Sequence, residues 1–363
     1  MISLLVEADA ILRVVPVILD PQTEPAHQRA IADFFAHDEP DFFGWCDRVR
    51  QQIPGLYPAA LEFARDQAEF RAKLPNADAA IVESLEVGEA ELAVAPKLVM
   101  VQKFGSLVGN IDVTACARRN VAVDIQRRRV NVAVAEQAFA MMVALAKMIP
   151  ALDGVVTESA LRQKGYDPTP FDRRYTGNSN FARITGLKTL SGATLGIIGM
   201  GEIGREIARR AAAFEMKVLY YQRNRINPFE EHAMAARYAS LDEVLAGADY
   251  VAIQLPSGAA TRGILGRGQL QRMKKGAILI NVARADLVDH DALVEALQSR
   301  HLGGFALDVG YEEPTPPSEK LLQFKDGNVL LMPHTAVADR QNGLLDMEEM
   351  CLKLWRGTKM RHG

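Results

Sequence analysis

Three polar residues lie just beyond three apolar runs in the last third of the sequence: Arg284 after AILINVA, Glu313 after GFALDVGYE, and His334 after NVLLMP. A guanidinium binds a carboxylate through two parallel bonds and polarises a nearby carbonyl. An imidazole titrates near neutral pH and can give or take a proton, and a carboxylate beside it favours its charged form. Gathered at one cleft, the three would anchor an α-keto acid and move a proton to or from its oxygen. Singly, each has a plainer reading: an arginine after a strand is usually a solvated side chain, and EEP is usually an acidic turn. Their shared position at strand ends is what gives the set weight.

The elements that must position them are strands of a parallel sheet, because in a doubly wound sheet ligands bind outside the carboxyl ends of the strands. Strand-like runs recur at MKVLYY (216–221), DYVAIQL (249–255), AILINV (277–282), GFALDV (304–309) and NVLLMP (328–333), with helical stretches between them. Ahead of them, ATLGIIGMGEIGREIARR (193–210) reads as an apolar strand, a tight turn and an alanine-rich helix. In such a unit Gly199 permits the turn, Gly201 lets the backbone approach a pyrophosphate, and Gly204 allows close packing of helix on strand. The helix start, with Glu202 and Ile203, offers N–H groups and the positive end of a dipole to the anion.

The earlier chain alternates in the same way. VVPVIL (14–19) is expected to be the first strand, followed by DAAIV (78–82), KLVMVQK (97–103) and VAVDI (121–125), with Pro58 to Phe70 helical. VNVAVAEQAFAMMVALAKMIPAL (130–152) reads as one long apolar helix packed between domains or subunits, and 163–186, rich in turn formers, as a loop. A final helix, about Asp339 to Arg356, is expected to return to the first domain. Two α/β domains suit 363 residues of which 48% are hydrophobic.

A net charge of -3 leaves no basic excess, so nucleic acid is not an expected partner. The N-terminal residues lack a positive leader and an uninterrupted apolar run of spanning length, so no membrane association is expected. Cys46, Cys116 and Cys351 match neither a disulfide framework nor a zinc spacing, which suits a reducing, cytoplasmic setting with no metal.

Taken in order, GSLVGNID (105–112), VAE (134–136), LGIIGMGEIG (195–204), INVARADLVDHDAL (280–293), ALDVGYEEP (306–314) and PHTA (333–336) resemble the D-isomer-specific 2-hydroxyacid dehydrogenases, over about residues 80 to 340. The resemblance implies two doubly wound parallel-sheet domains: a substrate-binding domain of 1–126 and 336–363, and a Rossmann dinucleotide-binding domain, 127–335, inserted into it. It implies that Arg284 binds the carboxylate and carbonyl oxygen of a 2-keto acid, that His334 is the general acid and base, and that Glu313 pairs with it. Backbone N–H groups around Ser106 and Leu107 would hold the substrate carboxylate, Asp308 would lie near the nicotinamide carboxamide, and Val282 would also border the cofactor. A homodimer is expected on the same ground.

Departures accompany the resemblance. Ala285 replaces the usual glycine after the catalytic arginine, Gly310 the usual aromatic after DV, and Leu107 a common glycine. QRRR (126–129) is more basic than usual; it reads as a solvated charge run in preference to a site for a second substrate anion. Formate dehydrogenases of the superfamily, the related formate- or phosphite-type reading, carry glutamine where Glu313 stands. A regulatory, corepressor-like protein of this fold would keep the triad, so a sensing role stays open.

The choice of cofactor rests on the end of MKVLYY. An NAD-binding unit usually places an acid there for the ribose hydroxyls. Here Gln222, Arg223, Asn224 and Arg225 follow, with no carboxylate before Glu230. Gln222 does not repel a 2′-phosphate and either arginine can pair with it, so among NAD(P) cofactors NADP(H) is favoured over NAD(H).

Overall fold

The computed structural model describes residues 1–324, 327–338 and 340–359. The chain divides into two compact units, one built from Met1–Val132 with the stretch from Val337 onward, the other from Ala133–Ala336. Each is a parallel sheet covered by helices.

In the first unit β1 (Ile2–Glu7), β2 (Ala59–Ala64), β3 (Ala79–Val82), β4 (Met100–Lys103) and β5 (Ala122–Asp124) run in the order β2-β1-β3-β4-β5. Alternate residues of β1 feed opposite faces: Leu4 and Val6 enter one core cluster and Leu5 another. The helix Gln341–Lys359 belongs to this unit and contributes Leu344, Met347, Met350 and Leu354 to its core. Asp339, expected to open that helix, lies outside the described residues. Cys46 and Cys351 are fully buried here, and burial pushes both thiols up to about 12.

Two expectations fail in this unit. The first strand is Ile2–Glu7, and Val14–Leu19 is a helix. A wholly buried apolar run fits a strand or a core helix equally well. Here the Asp9 carboxylate accepts the backbone N–H groups of Ile11 and Leu12, starting a helical turn, and Pro16 sits within the first turn, where no donor is missed. The stretch 58–70 is likewise not one helix. Ala59–Ala64 is the edge strand β2, paired with β1 from Ile2↔Ala59 to Glu7↔Ala64. The helix begins only at Gln67, where Asp66 accepts the Glu69 N–H at 2.9 Å as a cap.

The second unit holds β6 (Thr194–Ile198), β7 (Lys217–Tyr221), β8 (Ala236–Tyr238), β9 (Tyr250–Ile253), β10 (Ile278–Asn281), β11 (Gly304–Leu307) and β12 (Val329–Leu331), in the order β12-β11-β10-β9-β6-β7-β8. The chain leaves β6 toward β8 and returns on the other side from β9, so the strand order reverses between β6 and β9. The three-residue β8, at the edge and only partly buried, has no counterpart among the expected runs.

The long helix runs from Arg129 to Ala146 and then breaks. Met148 takes a left-handed φ of +54°, and a short helix, Ile149–Leu152, follows. Pro150 explains the break: inside a continuous helix its ring would strike the carbonyl of Ala146. That carbonyl instead accepts the Lys188 N–H at 2.8 Å. By length and composition Arg129–Ala146 is apolar enough to cross a membrane, yet 56% of it is buried within the fold. The stretch 163–186 is irregular, as expected, and held by local bonds such as Asn180 with Ile184.

Candidate active site

The ends of β10, β11 and β12 are level. Asn281 pairs with Leu307 and Leu307 with Leu331 in register. Beyond the strands the ladder continues: Asp308 N–H donates to the Asn281 carbonyl at 3.1 Å and His334 N–H to the Asp308 carbonyl at 2.8 Å. The segments carrying Arg284, Glu313 and His334 therefore leave the sheet side by side.

Each side chain has its own support. Asn281, fully buried, clamps the turn that ends at Arg284: its Nδ2 donates to the Arg284 carbonyl at 2.8 Å and its Oδ1 accepts the Ala283 N–H at 3.0 Å. The Arg284 side chain is exposed, and its Nη1 donates to the Ala283 carbonyl. Glu313 accepts the Gly310 N–H on Oε1, and its Oε2 lies 3.1 Å from His334 Nδ1. This is what Gly310 is for: a Cβ there would sit 2.8 Å from the Glu312 carbonyl oxygen, so an aromatic side chain does not fit this turn. His334 has a left-handed φ of +57°. Fully buried Asp308 holds it there, its carboxylate accepting the N–H groups of Thr335 and Ala336 at 3.0 and 3.1 Å. With Nδ1 engaged by Glu313, Nε2 is the ring nitrogen left to exchange a proton.

The glycine turn lies at the β6–β9 reversal. Gly199 has φ +102°, and a Cβ on it would lie 2.3 Å from the Gln254 carbonyl oxygen. One on Gly204 would lie 2.2 Å from the Gly199 carbonyl oxygen. At Gly201, which caps the helix Glu202–Ala213, a Cβ would meet nothing within 4 Å. Two glycines thus close the turn, while the third leaves an open approach to the first helical turn, where Glu202 and Ile203 stand. Beside it, the buried Oε1 and Nε2 of Gln254 have no hydrogen-bond partner in the protein. An open cradle with orphaned amide atoms beside it fits a dinucleotide; Val282, buried after β10, completes the row of strand ends.

Beyond β7, Gln222 turns back toward the cradle, its Oε1 accepting the Met200 N–H at 3.1 Å. The two arginines differ. Arg225 is committed to Glu231 through bonds of 2.8 and 2.6 Å, and Tyr220 donates to the same carboxylate at 2.5 Å. The Arg225 bonds, then that of Tyr220, hold the Glu231 carboxyl down at about 2. Arg223 is exposed and makes no ion pair among the described residues. Of the pair proposed for a 2′-phosphate, only Arg223 has its charge available.

In the first unit, Ser106 and Leu107 follow β4 and are half-buried. QRRR is not a purely solvated run. Gln126 is fully buried and donates to the Asp346 carbonyl at 2.6 Å, and Arg129 pairs with Asp346 and Glu349 at 3.0 and 2.7 Å. Partners on a helix more than 200 residues away could not be read from the local charge pattern. Asn281 and Gln254 were absent from the expected set. The signal for both was the rule applied to Arg284: a polar residue at the end of an apolar strand.

Among the described residues no cluster of three or more His, Cys, Asp or Glu side chains could hold a metal ion. The parallel sheet, the glycine cradle at its reversal and the paired histidine and carboxylate at adjacent strand ends are the arrangement of a dinucleotide-binding α/β protein with an acid–base pair beside the cradle's sheet edge. The comparisons make this particular. Residues 139–336 match the family model of the D-isomer specific 2-hydroxyacid dehydrogenase NAD binding domain. A glyoxylate reductase of Korarchaeum cryptofilum is 34% identical over 254 residues, 68% of this chain and 69% of that protein. A D-3-phosphoglycerate dehydrogenase of Archaeoglobus fulgidus is 33% identical over 75% of this chain; the match spans 48% of that longer protein. The solved D-lactate dehydrogenase of Aquifex aeolicus, complexed with NAD and lactic acid, shares the fold, with TM-score 0.52 and 22% identity over 97% of this chain and 94% of that one. The chain belongs to the D-isomer specific 2-hydroxyacid dehydrogenase family.

Proposed function

We propose that this protein interconverts a 2-keto acid and a D-2-hydroxy acid, with His334 as general acid and base and with NADP(H) favoured over NAD(H). The observation that carries the reading is the Glu313–His334 pair at 3.1 Å, on a turn that buried Asp308 holds in place. In the reductive direction the bound nicotinamide supplies a hydride to the carbonyl carbon. His334 gives its proton to the carbonyl oxygen as charge develops there, and Glu313 stabilises the imidazolium before transfer. Arg284 anchors the carboxylate and polarises the carbonyl, and the backbone at Ser106 and Leu107 is the substrate-binding unit's own contribution to holding the acid. Support for NADP(H) is the amide of Gln222 in place of an acid and the uncommitted charge of Arg223. The reading takes the protein as a cytoplasmic homodimer whose first unit, Met1–Val132 with the stretch from Val337, binds substrate.

The test is reduction of a panel of 2-keto acids with NADPH and with NADH. Turnover of at least one acid supports the reading, and cofactor binding without turnover of any would replace it with a sensing role. NADH preferred by about tenfold or more in kcat/KM would overturn the cofactor preference.

A further inference from the structure

The three arginines of the run Arg127–Arg129 have different surroundings. Arg129 is taken by Asp346 and Glu349, and the backbone N–H groups of Arg129 and Val130 also go to the Asp346 carboxylate, at 3.0 and 3.4 Å. The start of the helix Arg129–Ala146 is therefore filled by the protein's own acid, and an outside anion has no place there. Arg127 is exposed. Arg128 lies against the loop that follows β4: its guanidinium carbon is 4.1 Å from the centre of the Phe104 ring. Its Nε is buried without a hydrogen-bond partner, and no ion pair holds its charge among the described residues.

The neighbouring groups narrow what Arg128 can do. The N–H groups past β3 already serve Glu7, whose carboxylate accepts from Glu83, Ser84 and Leu85 at 2.6, 2.8 and 3.0 Å. Lys103 is buried and donates to the Glu83 carbonyl. The opposing charge nearby is that of Glu83, whose carboxyl is pushed up by burial and drawn back by Lys103 and Arg128. The Gln126 N–H donates to the Gly105 carbonyl at 2.7 Å and ties the arginine segment to the loop Phe104–Leu107. A half-buried guanidinium that no carboxylate among the described residues pairs, beside a half-buried loop, is a donor that an incoming oxyanion satisfies.

We propose that Arg128 is a second anion receptor in the substrate unit, selecting 2-keto acids that carry a further carboxylate or phosphate remote from the keto acid group. The inference rests on the proposed reading, in which the backbone of Ser106 and Leu107 in the same loop takes the first carboxylate. Stacking on Phe104 fixes the plane of the guanidinium and leaves its fork for bidentate contact.

The experiment compares kcat/KM for glyoxylate, pyruvate, 2-oxoglutarate and phosphohydroxypyruvate in the wild type, Arg128→Met and Arg128→Lys. The wild type is expected to prefer one of the two acids with a second anionic group over pyruvate by about tenfold or more, the better of them telling carboxylate from phosphate. Arg128→Met should reduce that ratio by about tenfold, and Arg128→Lys should restore part of it. A wild type without the preference, or an Arg128→Met variant that lowers all four acids equally, overturns the proposal; the second outcome marks Arg128 as structural. If no keto acid is reduced, the functional reading itself fails. Calorimetric binding of 2-oxoglutarate and phosphohydroxypyruvate then decides Arg128 separately, with equal affinity in wild type and Arg128→Met counting against it.

Discussion

At His334 the chemistry turns on one ring whose Nδ1 is held by Glu313 and whose backbone is held in a left-handed conformation by Asp308. His334→Ala should lower kcat by about 10²–10⁴-fold while leaving cofactor affinity nearly unchanged, measured by steady-state kinetics and by NADPH fluorescence. Near-full activity in that variant would remove the assignment. Asp308→Asn turns one acceptor into a donor facing an N–H group, so the loop should shift and kcat fall by about tenfold to a hundredfold; unchanged turnover would show that the two bonds do not position the histidine. The two arginines after β7 part company in the same way. Arg223→Gln should lower the NADPH/NADH ratio of kcat/KM, Gln222→Asp should lower it further through like-charge repulsion, and Arg225→Gln should leave it alone. A loss of the ratio in Arg225→Gln would contradict the pairing with Glu231 described above.

The elements show where local pattern suffices and where it does not. The turn between β6 and the helix Glu202–Ala213 was legible because only glycine meets its contacts. Gly204→Ala would press a Cβ against the Gly199 carbonyl oxygen and should cost about 1–3 kcal/mol, with weakened cofactor binding, read by thermal unfolding with and without NADPH. The connection after β7 carries a pH signature. The Glu231 carboxyl lies at about 2 against an ordinary 4.5, so its pairing stabilises the fold fully above 4.5 and the contribution disappears as pH falls through about 2. Arg225→Gln should therefore lower Tm at neutral pH, with the deficit shrinking between pH 4.5 and 2. A deficit that stays constant across that range would refute the pairing as its cause. By contrast, Val14–Leu19 and 58–70 misled the reading because a fully buried run carries no period, and an edge strand followed by a helix merges into one amphipathic stretch.

At the scale of the whole molecule, apolar surface remains on the second unit. Phe214 is 43% exposed although it packs on Phe139, Ile149 is 51% exposed and Val156 74%. A second copy of the chain covering this surface would account for it, and light scattering at micromolar concentration should report a dimer. Phe214→Asp should shift the protein toward the monomer; a wild type that is already monomeric would remove the idea.

Most strands of the second unit, the glycine turn, the strand-end positions of Arg284, Glu313 and His334 and the missing acid after β7 could be read from short stretches of chain, because period, turn chemistry and strand ends are local properties. Which of several like residues is available for chemistry could not. Arg223 and Arg225 look alike until Tyr220 and Glu231 close around one of them. Arg128 and Arg129 look alike until Asp346, 217 positions further along, arrives on the final helix and takes Arg129. A charge is spent or left free by partners that meet it only when distant segments pack, and that meeting belongs to the tertiary structure.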